Sequence, residues 1–340
     1  MTTTQIERPA QALSTSRRRL LVATAAALAL PRIGHAQGGN WPTRPIRMVV
    51  PFATGGGTDV TMRLLAPKLG EVLGQPVVVE NRPGAGSTVG TDFVSKAEPD
   101  GSTFVLATLS STGIAAALYA KLPYDPVKDL TAVAPTVFIP TSLAATTTGW
   151  DVRTLEQFVA ALKAKPNAYS FSSSGIGSTG HIASVNFLRH VGAQAEHIPF
   201  RGAGESFNAL VAGQTHFTHD IPSLLKPFHE SGRARVLFVN QSERSTLLPD
   251  VPTAAEVGLP DYKAYSWYGI FGPKNLPAPI VNRMAEAVEQ TLADPAIAER
   301  LNGMGTPPMR GWTPERFGRY VAEEVETWAP LVRASGARVE

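Results

Sequence analysis

Between residues 170 and 181 the chain reads Ser-Phe-Ser-Ser-Ser-Gly-Ile-Gly-Ser-Thr-Gly-His, a run of hydroxyls and glycines without a formal charge. A short strand pattern precedes it, and a helix pattern (Ile182, Val185, Leu188) begins near His181. A loop that opens a helix gathers free backbone N–H groups at the positive end of the helix dipole, so the chemistry it suits is anion capture without a cation. Its candidate contacts are Ser174, Gly177, Ser178, Thr179 and His181. Residues 48–59, Met-Val-Val-Pro-Phe-Ala-Thr-Gly-Gly-Gly-Thr-Asp, repeat the arrangement of strand, glycine loop and helix. Here the candidates are Phe52, Thr54, Gly55, Gly56 and Thr58, with Asp59 as a helix cap holding the loop. Ser110, Phe200 and Asp220, at other strand ends, complete the candidate set, Asp220 suiting a ligand hydroxyl or amine. The expectation is of two lobes, each offering a helix start to one small anion.

Other chemistries compete for the same residues. Gly175, Gly177 and Gly180 fit the spacing of a dinucleotide-binding loop, but the position about 20 residues on, where an acid grips a ribose, falls near Arg201. An exported NAD(P)-dependent enzyme using Arg201 for a 2′-phosphate is therefore one alternative. A hydrolase built on Ser178 and His181 is another, though the glycine spacing of a nucleophile elbow is absent. His216 and His219 lie three apart on a strand pattern, hence on opposite faces, which is poor for joint metal ligation. The expectation is of no catalysis, cofactor or metal.

The elements that must position these residues alternate short apolar runs with helical periods, the pattern of an α/β chain with largely parallel sheet. Strands are expected near residues 46–51, 77–81, 103–108, 168–171, 197–200, 215–220 and 236–240, with most glycine and serine loops at their carboxyl ends. Helices are expected at 59–73, 88–97, 151–164, 205–212, 223–230, 278–292, 295–304 and 313–334. Residues 133–145 form one long apolar stretch leaving the first lobe, and the aromatic run 262–271 returns to it. Two crossings, near 140–146 and 260–268, imply a hinge and a cleft. Lobe one is then 41–143 plus 264–340, and lobe two 144–263. The aromatics Tyr262, Tyr265, Trp267 and Tyr268 suit hinge packing and cleft wall.

The first residues read as an export signal: three arginines (Arg17, Arg18, Arg19), an Ala/Leu run to Leu30, and small residues flanking a cut near Ala36. The arginines before a leucine pair favour the twin-arginine route, and the apolar run is too short to span a membrane. Removing residues 1–36 leaves 26 of 31 basic and 27 of 28 acidic residues, a net of −1. No basic run remains for nucleic acid. With no cysteine, the chain carries no disulfide, thiolate metal site or lipid anchor. A soluble periplasmic protein is expected.

Several stretches in order resemble one family: residues 51–59, Asn81-Arg82-Pro83-Gly84-Ala85-Gly86, Leu122-Pro123-Tyr124-Asp125-Pro126, residues 175–181, His197-Ile198-Pro199-Phe200-Arg201-Gly202, Leu248-Pro249-Asp250-Val251-Pro252-Thr253 and Trp267-Tyr268-Gly269. Over residues 41–336 the chain resembles the extracytoplasmic solute receptors of tripartite tricarboxylate transporters, the Bug or TctC-like family. The resemblance implies a two-lobe, type II-like Venus flytrap of the periplasmic binding-protein fold. It would be a monomer that closes on a di- or tricarboxylate, acidic amino acid or aromatic acid and delivers it to a membrane permease. The chain departs from the family at Val185, where an acid is usual, at Glu205-Ser206, where Pro-Ala is common, and at Ser87, where glycine is frequent.

Overall fold

The computed structural model describes residues 1–2, 4–5, 41–200 and 202–339. The export-signal segment falls almost entirely outside the described residues, as does Arg201. From Trp41 onward the chain is one compact unit containing two five-stranded sheets.

The first sheet has the order β2-β1-β3-β10-β4. Strand β1 (Ile46–Val50) lies parallel between β2 (Val77–Asn81) and β3 (Thr103–Thr108). Helices α1 (Gly57–Leu73) and α2 (Thr88–Ser95) make the crossovers that parallel neighbours require. Strand β10 (Tyr265–Pro273) runs antiparallel between β3 and β4 (Leu130–Pro140). On one face Met62, Leu65 and Leu69 of α1 pack with Val281, Met284 and Val288 of α8 (Ala278–Ala293). On the other, Phe317, Val321 and Trp328 of α10 (Pro314–Ala334) pack on Val105, Trp267 and Phe271.

The second sheet repeats this topology in the order β7-β6-β8-β5-β9. Strand β6 (Ser170–Ser173) is parallel to β7 (Glu196–Pro199) and β8 (Phe217–Asp220). Strand β5 (Ser142–Thr146) is antiparallel to β8 and to β9 (Ala234–Val239). Its core is aromatic: Phe158 of α4 (Leu155–Ala164) and Phe187 of α5 (Thr179–Val191) meet Phe171, Phe217 and Phe238. Helices α6 (Ala203–Val211) and α7 (Pro222–Glu230) cover the other face through Phe207 and Leu225. A short α9 (Pro295–Gly303) follows α8.

The structure corrects one expectation and fills in two stretches. The sheets are mixed rather than largely parallel, because β5 and β10 each enter a sheet from the crossing between sheets. They therefore run opposite to the strands whose carboxyl ends face that crossing. The apolar stretch 133–145 spans two strands, β4 and β5, separated at Thr141. A short helix α3 (Ala115–Leu118) occupies a stretch with no clear sequence pattern. The two crossings touch: the Thr141 hydroxyl donates to the Ala264 carbonyl, which also accepts from Asn240 Nδ2 at 3.0 Å.

Candidate functional site

A cavity of about 490 Å³ lies at the carboxyl ends of the parallel strands, between the two sheets. Phe52, Gly56, Gly57 and Thr58 line it from the first sheet, residues 174–180 and Asp220 from the second, and Thr141, Ser266 and Tyr268 from the crossing strands.

Two helix starts face this space. Helix α5 is capped by Ser178, whose Oγ accepts from His181 N at 3.3 Å. Helix α1 starts at Gly57, after an N-cap, Gly56, that has no side chain to cap it. The first-turn amides of a helix have no intrahelical acceptor. Those of Gly57, Thr58, Thr179 and Gly180 find none elsewhere among the described residues, and all four residues line the cavity. No lysine or arginine among the described residues lines it. A carboxylate here would be held by amides, hydroxyls and two dipoles.

The second-sheet loop is shaped from behind. Gly177 adopts φ +75°, and a Cβ there would come within 2.5 Å of Leu118 Cδ2. Its amide donates to His181 Nδ1 at 3.1 Å, which assigns the His181 proton to Nε2. The His181 ring stacks on His197 at 3.9 Å, and His197 Nε2 meets Ser173 Oγ at 2.7 Å. Burial lowers both imidazoles to about 4 and so keeps them neutral near neutrality. Helix α5 also approaches β8 closely: a Cβ on Gly180 would stand 2.3 Å from the His219 carbonyl oxygen.

The first-sheet loop is held by Asp59, at the third position of α1 and not at its N-cap. The carboxylate accepts from Gly55 N at 2.9 Å, Arg63 Nε at 2.9 Å and Asn81 Nδ2 at 2.9 Å. Asn81 Nδ2 also reaches the Phe52 carbonyl at 3.1 Å. Burial alone would raise the Asp59 pKa, but the bonds from Arg63, Gly55 and Asn81 outweigh it and hold the carboxyl below its ordinary value.

Asp220 is the single formally charged side chain among the described lining residues. Burial pushes its carboxyl up to about 6, against a partly offsetting bond from Ile221 N at 2.8 Å. The half-buried Tyr268 phenol is raised by desolvation and by the Asp220 charge, with the nearby Thr58 hydroxyl acting the other way.

The structure brings Phe52, Gly56, Thr58, Ser110, Ser174, Gly177, Ser178, Thr179 and Asp220 together around one cavity. It places Thr54, Gly55, His181 and Phe200 outside the lining. Gly55 spends its amide on Asp59, and Phe200 N bonds the Ser173 carbonyl at 3.0 Å as β7 ends. His181 lies behind the loop, its ring engaged by Gly177 and not by Ser178. The hydroxyl of Ser178 instead accepts from the His181 backbone, so the two side chains do not form a nucleophile–base pair. His216 and His219 serve separate partners, Ser170 for one, Ser184 and Tyr262 for the other.

Sequence reasoning missed Tyr119, Thr141, Ser266 and Val339 in the lining. Thr141 and Ser266 had a usable signal, since each is a polar residue interrupting an apolar stretch at a crossing. Val339 had none. It reaches the cavity by pairing with α3, its N–H donating to the Leu118 carbonyl at 2.9 Å.

The sequence profile of the "Tripartite tricarboxylate transporter family receptor" matches residues 61–337. The protein BugT of Bordetella pertussis is 34% identical over 303 residues, 88% of this chain and 92% of that relative. MatC of Rhodopseudomonas palustris, solved with bound malate, superposes with a TM-score of 0.74 at 33% identity, over 86% of this chain and 100% of its own. The R. palustris protein Rpa4515, solved with adipate, gives 0.76 at 31% identity, over 88% and 100%.

Proposed function

The chain belongs to the tripartite tricarboxylate transporter receptor family, and from that premise we propose that it captures a small carboxylic acid in the cavity between its two sheets. The family is one of periplasmic solute-binding receptors, which are not enzymes. The reading rests on one observation: four unpartnered amides, two at each of two helix starts, line one cavity that holds no cation among the described residues. An anion there completes hydrogen bonds that the fold leaves open and meets the positive ends of two dipoles. Malate in MatC and adipate in Rpa4515 belong to the same chemical class.

In this reading lobe one (41–143 and 264–340) and lobe two (144–263) turn about Thr141 and Ala264. The acid first meets residues 177–180 on lobe two. Closing then adds Phe52, Gly57 and Thr58 from lobe one, so the ligand contacts the closed form more extensively and shifts the population toward it. A membrane permease receives the acid from the closed form. The export signal, cleaved near Ala36, delivers the mature monomer to the periplasm.

A thermal-shift screen tests this with malate, succinate, adipate, citrate, aspartate, glutamate and benzoate. A ligand at about 100 times its Kd adds roughly 2.7 kcal/mol to stability. A clear rise in melting temperature with at least one acid, and none with the matching alcohol or amide, is expected. No shift with any acid at millimolar concentration would refute the proposal.

A further inference from the structure

Helix starts recognise a carboxylate but not what it is attached to; Asp220 supplies what they lack. Strand β8 pairs with β6 at Thr218 and Ser172; two residues on come Asp220, the last residue of β8, and Ser174, the first residue after β6. Asp220 therefore stands about one strand spacing, roughly 5 Å, from the 174–180 loop. The close approach of Gly180 to the carbonyl of His219, its chain neighbour, brings the α5 amides to the same place. One carboxylate oxygen accepts from Ile221 N at 2.8 Å. The other makes no hydrogen bond or ion pair among the described residues, although Asp220 lines the cavity. Asp220 is half-buried, and a ligand carboxylate a few ångströms away would displace the solvent around its second oxygen and add repulsion. A hydrogen-bond donor between the two removes both penalties.

Resting on the carboxylate-capture reading, we propose that Asp220 recognises a hydroxyl or ammonium on the carbon next to the captured carboxylate, making the ligand a 2-hydroxy or 2-amino acid. A spacing of about one strand between Asp220 and the loop puts the carbon next to the carboxylate within its reach. The carboxyl of Asp220, raised to about 6 by burial, is consistent with a group stabilised by a donor and not by a fixed cation. Tyr268 and Thr58 line the same cavity from the first sheet.

Isothermal titration calorimetry at pH 7.5 on the purified protein tests this with two matched sets: succinate, malate and aspartate; glutarate, 2-hydroxyglutarate and glutamate. A charge-assisted hydrogen bond predicts that a substituted acid binds about tenfold or more tighter than the plain diacid of equal length. Malate over aspartate identifies the hydroxyl as the preferred donor, and the reverse identifies the ammonium; either supports the proposal. The Asp220→Asn variant, checked for folding by circular dichroism, is expected to shrink the preference to within about threefold. If that variant does not fold, the wild-type preference decides. Equal or tighter binding of the plain diacids, or an unchanged preference in Asp220→Asn, overturns the role of Asp220 and leaves carboxylate capture standing. Binding of no acid in either set overturns the role of Asp220, and carboxylate capture falls with it only if adipate, citrate and benzoate also fail to stabilise the protein.

Discussion

Replacing Gly180 by alanine tests whether the contact between α5 and β8 sets the position of the second-sheet amides. A Cβ at residue 180 would lie 2.3 Å from the His219 carbonyl oxygen, where real Cβ atoms do not come within 3.0 Å. The start of α5 must then move by about 0.7 Å, the difference between those two distances. The obstacle is backbone within the second sheet, so no side chain can rotate away. Overpacking of this kind costs about 1–3 kcal/mol. The helix preference of alanine over glycine returns at most about 1 kcal/mol. Gly180→Ala is therefore expected to destabilise by about 1–2 kcal/mol net. Gly318, inside α10, provides the control, because its added Cβ meets only Ala132 Cβ at 3.9 Å, an ordinary contact. Gly318→Ala should stabilise by roughly 0.5–1 kcal/mol. Urea unfolding of both variants reads the difference. The displaced Gly180 amide should also weaken binding of whichever acid stabilises the wild type, whereas Gly318→Ala should leave it unchanged. If both variants are equally stabilised, the close approach does not exist and the proposed geometry of the amides fails with it.

Other residues give shorter tests. Ser87 takes φ +83°; relieving that left-handed strain in Ser87→Gly should raise stability by about 1 kcal/mol, visible as a higher urea midpoint. Asp59→Ala leaves Gly55 N, Arg63 and Asn81 without their shared acceptor. A loss of about 2–3 kcal/mol is expected, Arg63 being half-exposed, together with faster amide exchange at Gly55; unchanged exchange would show that Asp59 does not hold the loop. His181 and His197, lowered to about 4 in the fold, take up protons in the unfolded chain near 6.5, so unfolding binds protons between those values. Stability should fall as pH drops from 6.5 to 4, by on the order of 3 kcal/mol for each ring, and His219, lowered to about 3 by burial, extends the loss below pH 4. Asp220, raised to about 6, works in the opposite direction over part of that range and offsets part of the loss. A flat unfolding free energy between pH 6.5 and 4.5 would contradict the buried neutral stack.

The sequence alone determined the alternation of strands and helices, because apolar periodicity and caps such as Thr154 and Ser178 act over a few residues. It also determined that residues 52–58 and 174–180 would end strands and open helices, since glycines and hydroxyls at such junctions leave amides unpaired. It could not determine strand direction: β5 lies in an apolar stretch and β10 in an aromatic run at the two crossings, and only their entry from those crossings makes them antiparallel. Nor could it separate the lining from its support. His181 and Gly55 belong to the same runs as Thr179 and Gly56, yet one ring and one amide are spent inside the protein. Asp220 and Val339 acquire their places beside the loop through a strand register and a returning chain end, pairings between residues far apart in the chain. Local pattern decides which groups are left free, and long-range packing decides which of them share a cavity.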